Sequence, residues 1–143
     1  MNTSRNDGSN CFVCGPENAQ GLQLKFVMEH DVCRSRFVPP AHMVGYDDLV
    51  HGGLLFTVLD DTMANWLFLK GVRAHTARCE IRYRQPVHLG TELALEARVS
   101  RIKGRTVLLE ATASRATDGV VVAETTATFM VADGADLLAL QAL

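Results

Sequence analysis

Between residues 53 and 70 the chain carries a run whose apolar side chains leave almost no polar side. Leu54, Leu55, Phe56, Val58, Leu59, Met63, Trp66, Leu67 and Phe68 fall at nearly every angle of a 3.6-residue period. Gly71 follows as a helix stop. A surface helix shows one apolar stripe, so a helix apolar nearly all round is buried on most of its sides. Asp60, Asp61 and Asn65 interrupt the run, which is too short and too charged to span a bilayer. The rest of the chain must therefore wrap around this helix.

It supplies the wrapping as strands. Residues 22–26 and 32–38 alternate with a period of two, with Glu29, His30 and Asp31 between them as a hairpin turn. Pro39 and Pro40 end the second strand, because neither donates a ladder hydrogen bond. After the helix, Ala77, Cys79, Ile81 and Tyr83 alternate with Arg78, Glu80, Arg82 and Arg84. Three long antiparallel strands follow over residues 92–102, 106–115 and 120–131, turning at Lys103-Gly104 and Thr117-Asp118-Gly119. Short connections then give two strands, one buried helix and a meander of about four strands. The predicted class is α+β, a hot-dog fold in which a curved antiparallel sheet wraps one long central helix. A polar, turn-rich segment at 1–21 precedes a domain at 22–133, and the tail at 134–143 forms a short helix or frays. A lone curved sheet leaves its edges and part of the helix uncovered, so a homodimer is expected, with a dimer of dimers left open.

A chain of 143 residues holds one domain with a sizeable core, and 48% hydrophobic residues exclude a disordered chain. A net charge of -2 without a basic run gives no general attraction to nucleic acid. Residues 1–10 lack the apolar stretch of a signal peptide, so a cytoplasmic location is expected, without membrane association. Cys11, Cys14, Cys33 and Cys79 are expected as reduced thiols. The spacing Cys11-Phe12-Val13-Cys14 lets two thiolates share a zinc ion. A closed site needs two more ligands, no second pair exists, and Cys33, Cys79 or a histidine would have to be recruited. The expectation is no metal, with Cys11 and Cys14 as small packing residues in a turn. No βαβ pattern surrounds the pair to support a thioredoxin-like role.

Two carboxylates sit in the most apolar segment. Neighbouring helical residues differ by about 100°, so at most one of Asp60 and Asp61 faces outward comfortably. Asp60 is the one near Phe56, Met63 and Leu67 in the helical net. Burying an unpaired carboxylate costs several kcal/mol, which favours a function for Asp60 over a solvated face. His51-Gly52-Gly53 opens the same helix. Paired glycines let a ligand approach the backbone, and unpaired first-turn amides with the helix dipole stabilise an oxyanion. A plain loop-to-helix turn capped by His51 is the simpler alternative.

The run from His51 through Gly52, Gly53, Leu54, Leu55, Phe56, Thr57, Val58 and Leu59 to Asp60 resembles the signature of hot-dog thioesterases related to the phenylacetate-degradation thioesterase. Cys11-Phe12-Val13-Cys14-Gly15 with Asn18 and Gly21-Leu22 is similar to the amino-terminal segment of one bacterial branch, and residues 76–87 to the strand after the helix. The resemblance implies an acyl-CoA thioesterase. Asp60 is implied as general base or nucleophile, the Gly52 amide as the group that polarises the carbonyl, and Thr76 as an aid in orienting water. His51 would position, Asp61 is the second acidic candidate, and Gly53 would lie against the substrate. No cofactor is implied, since coenzyme A is part of the substrate. Arg82, Arg84, Lys103 and Arg105 are candidates for the CoA phosphates, a solvated strand face being the other explanation. In one respect the chain departs from the pattern: many relatives place an Asn or Gln shortly before His-Gly-Gly, and residues 43–50 contain neither. Two other functions fit the same residues: a hydratase or dehydratase of hydroxyacyl thioesters using His51 with Asp60, and a noncatalytic acyl-CoA-binding module. Asp60 lies seven residues beyond Gly53, about 10 Å along the axis, so a site using both helix start and acid is expected to combine two chains.

Overall fold

The computed structural model describes residues 7–143; the first six residues of the polar amino-terminal segment lie outside the described residues. Helix α1 spans Gly52–Phe68. His51 caps its start, where Nδ1 accepts the Gly53 amide at 3.0 Å. Gly71, at φ 83, ends it by letting the Val72 amide turn back to the Leu67 carbonyl at 2.9 Å. Val58, Leu59 and Met63 are wholly buried, as the all-round apolar pattern requires.

Among the described residues, six strands surround α1: β1 (Val27–Glu29), β2 (Val32–Phe37), β3 (His75–Tyr83), β4 (Leu93–Lys103), β5 (Thr106–Arg115) and β6 (Val121–Met130). They form one antiparallel sheet in the order β1-β2-β4-β5-β6-β3, and the fold is the hot-dog arrangement. Its concave face is narrow by composition. Ala97 pairs with Ala111 and Leu95 with Ala113 across β4 and β5, all buried. Small residues there admit the bulky Leu59, Met63 and Trp66 of the helix. Helix α2 (Gly134–Gln141) closes the chain, and its buried Asp136 accepts the Arg73 amide at 2.8 Å. No helix among the described residues is long and apolar enough to cross a membrane.

Two features differ from the sequence pattern. Residues 22–26 are not a strand. Gln23 takes φ 54, and Leu22 and Leu24 donate to the carbonyls of Phe12 and Val13 at 2.8 Å, so the segment clasps the amino-terminal turn instead of joining the sheet. The last four strands are not a simple meander, because β3 pairs with β6 at the far edge. Residues 84–92 carry the chain from β3 to β4, held by bonds from Val50 to the Val87 carbonyl and from Leu89 to that of Asp48. Neither Asp60 nor Asp61 is exposed, within the expectation that at most one would face outward; both are half-buried.

Candidate active site

Asp60 lies in the middle of α1, on the side turned to β3. The Thr76 hydroxyl donates to Asp60 Oδ1 at 2.6 Å. A bulge between Thr76 and Arg78 re-aims the strand at this point. Cys79, further along β3, has its thiol pushed up to about 11 by burial and by the charge of Asp60. The carboxylate thus has one oxygen fixed by a short hydrogen bond at an edge strand whose residue 76 is exposed.

Asp61 faces the opposite way, onto the amino-terminal segment. The Cys11 thiol lies 3.6 Å from Asp61 Oδ1, and Asn65 Nδ2 donates to Asp61 Oδ2 at 2.9 Å. Burial, then the adjacent Asp60 charge, pushes the Asp61 carboxyl above the usual carboxylate range, while its bonds with Cys14, Cys11 and Asn65 pull against that shift. The Cys14 thiol is raised well above its ordinary value by burial and by Asp61. Cys33 is pushed up to about 12 for the same two reasons. Asp61 therefore does not share the contact between Asp60 and Thr76.

At the helix start, the Gly53 amide is taken by His51, whereas the Gly52 amide has no partner among the described residues. The Tyr83 hydroxyl donates to the Gly52 carbonyl at 2.7 Å. A Cβ at residue 52 would meet the Tyr83 ring at 3.3 Å, so glycine lets strand and helix approach here. A cavity of about 270 Å³ adjoins, lined by Gly52, Leu55, Tyr83 and Arg84 among others. Tyr83 was not singled out in the sequence; its place on the inward face of an alternating strand was the available signal.

The basic candidates scatter. Arg84 lies at the Gly52 cavity but is paired with Glu124. Arg82 lies on the outer face of the sheet beside Glu80, Arg98 and Glu124. Lys103 ends β4, and Arg105 sits in the turn that follows, with its guanidinium 3.4 Å from the Val131 carbonyl. The structure brings Asp60 to Thr76 and Tyr83 to Gly52, while leaving Lys103 and Arg105 at the β4–β5 turn.

The family model of the thioesterase superfamily matches residues 48–122, which include both helix motif and β3. Acyl-coenzyme A thioesterase THEM4 of Mus musculus is 27% identical over 118 residues, covering 80% of this chain and 51% of that protein. The chain thus spans about half the length of the curated relatives it matches. A crystal structure of a thioesterase superfamily protein superposes with a TM-score of 0.77 at 26% identity, covering 82% of this chain and 61% of that one. The PaaI protein from the phenylacetic acid degradation operon of E. coli shares the fold, with a TM-score of 0.71 at 21% identity over 76% of this chain and 83% of its own.

Proposed function

The chain belongs to the thioesterase superfamily, and from that premise we propose that it is a hot-dog enzyme of PaaI type that hydrolyses acyl-CoA thioesters to a free acid and CoA. The observation that carries this reading is the hydrogen bond from Thr76 to Asp60, which steadies an acid in the midst of an apolar helix. With one oxygen held, the other is left to take a proton from water or to attack the carbonyl and form a mixed anhydride. A thiolate departs without strong protonation, so no dedicated general acid is required. The unpartnered Gly52 amide is the proposed oxyanion donor, steadied by Tyr83 on its own carbonyl. His51, occupied at Nδ1 in capping the helix, is a positioning group in this scheme, and Gly53 lies beside the acyl-carbonyl subsite. Asp61, turned away, takes no part in the chemistry.

Gly52 and Asp60 are eight residues apart on one helix, about 12 Å along its axis. Reacting atoms must come within roughly 3–3.5 Å. We therefore place each site between two chains, the Gly52 amide of one facing Asp60 of the other in a homodimer. Arg82 on β3 and Arg84 just beyond its end, with Lys103 and Arg105 at the β4–β5 turn, are the candidate contacts for CoA phosphates. Four unpaired cysteines accord with a reducing, cytoplasmic setting.

A panel of acyl-CoAs assayed by free-thiol release tests the proposal. Saturable release with at least one ester, lost in Asp60→Asn, is expected. Retention of acyl-CoA without any release would favour a binding module, and dehydration of a 3-hydroxyacyl thioester without thiol release would favour a dehydratase.

A further inference from the structure

Spacing alone leaves Cys11 and Cys14 short of partners, but the fold brings them one. Cys11 Sγ, Cys14 Sγ and a carboxylate oxygen of Asp61, fifty residues on, all lie within 4.8 Å of one another. Cys11 Sγ and Asp61 Oδ1 are 3.6 Å apart. Around a tetrahedral zinc ion, with Zn–S near 2.3 Å and Zn–O near 2.1 Å, neighbouring ligand atoms stand roughly 3.5–3.8 Å apart. The atoms are therefore spaced for an ion with little rearrangement.

Their support is built from both sides. Asn65, itself buried, donates from Nδ2 to Asp61 Oδ2 and to the Asp61 carbonyl, both at 2.9 Å, leaving Oδ1 for the thiols. The loop that carries the cysteines closes through the Gly15 amide on the Cys11 carbonyl at 2.9 Å. A Cβ at Gly15 would come within 2.3 Å of the Cys11 nitrogen, so the two sulfur atoms converge only because residue 15 has no side chain. Three acidic groups thus meet with no Lys, Arg or His paired to Asp61 among the described residues. A cavity of about 740 Å³ opens onto them, walled by Leu24, Phe26, Phe68 and Leu69. It offers an entry path and room for a water molecule as fourth ligand.

We propose that Cys11, Cys14 and Asp61 bind one divalent, thiophilic metal ion of the zinc class, tetrahedrally, with the fourth position open to this cavity. Two thiolates select against hard cations such as magnesium, and the carboxylate favours a divalent ion over copper(I). This replaces the expectation of a metal-free turn, and it stands whether or not the chain hydrolyses thioesters.

The test uses the full chain without a histidine tag, stripped with chelator and titrated with cobalt(II) under reductant. One equivalent should bind with a thiolate-to-cobalt band in the near ultraviolet and intense tetrahedral bands in the visible, and zinc should displace it. Cys11→Ser and Cys14→Ser should each weaken binding at least about tenfold and reduce the thiolate band. Asp61→Asn should weaken binding while keeping that band, and Cys79→Ser should change neither. Absence of saturable one-to-one binding to the unsubstituted chain would overturn the proposal. So would a thiolate band that persists in the double variant Cys11→Ser, Cys14→Ser.

Discussion

Asp60 and Asp61 share a peptide bond and almost nothing else. The first is bonded to Thr76 across the helix–strand contact, the second to Asn65 and the thiols of the amino-terminal loop. The roughly 100° between successive helical residues is enough to give them separate surroundings. Substitution separates them too. Asp60→Asn keeps the shape, removes the base and is expected to lower kcat by about 10²–10⁴-fold, with circular dichroism and oligomeric state unchanged. Asp61→Asn is expected to leave kcat within about threefold, since its carboxylate does not face Thr76. If Asp61→Asn were the more damaging of the two in a free-thiol assay, the roles would have to be exchanged.

At the scale of elements, the amino-terminal clasp depends on one missing side chain. Gly15→Ala would press a methyl group to within 2.6 Å of the Cys11 and Ser9 carbonyl oxygens, which are backbone and cannot rotate away. A loss of about 3 kcal/mol is expected, read as a lower Tm or as faster labelling of Cys11 and Cys14 by thiol reagents. The β5–β6 turn gives a pH-dependent counterpart. Arg115 reaches Asp118 from Nη2 at 2.9 Å and holds its carboxyl below the usual range. A depressed carboxyl stabilises the fold above its unfolded pKa of about 3.9, and that contribution is lost as pH falls through the lower folded value. Asp118→Asn retains an acceptor for the Val120 amide but not the charge. Its Tm should lie slightly below that of the unsubstituted chain at pH 7, and the gap should close toward pH 2.

These elements also mark what could be read in the sequence. Helix α1 was legible because its apolar residues leave almost no polar side and Gly71 supplies the left-handed stop. The β4–β6 meander was legible from its turn residues. The place of β3 was not, since alternation identifies a strand without naming its neighbour, and the crossing at residues 84–92 is fixed by bonds to residues 48–50. Residues 22–26 misled because alternation cannot foresee a positive φ at Gln23. Asp60 stood out as an acid among apolar residues. The partners of Asp61 did not, because docking of residues 11–14 on the helix is a tertiary fact, and Tyr83 looked like any strand tyrosine.

At the scale of the whole molecule, the proposed two-chain site makes a prediction about mixtures. Gly52→Pro removes the candidate oxyanion amide at the first helical position, where proline is tolerated. His51, at φ -61 and ψ 125, already has the extended backbone that precedes proline. Gly52→Ala keeps the amide while adding the same contact with Tyr83, and so controls for packing. Asp60→Asn and Gly52→Pro are each expected to be nearly inactive. After subunit exchange, a mixed dimer holds one site with both lesions and one with neither, so activity should return toward half per mixed dimer. Continued inactivity with exchange verified and both parents folded would count against a shared site.

Strand β3 pairs with β6 along one side only, and its other side carries no partner strand among the described residues. In an antiparallel edge strand, alternate amides point outward. In dilute solution those amides should trade hydrogen for deuterium quickly, while the alternate set, tied to β6, stays slow. If the chains associate along this edge, raising the protein concentration should slow the fast set and leave the other untouched. A two-residue rhythm in isotope uptake along residues 78–83, past the bulge, would then report assembly without substrate, mutation or catalysis.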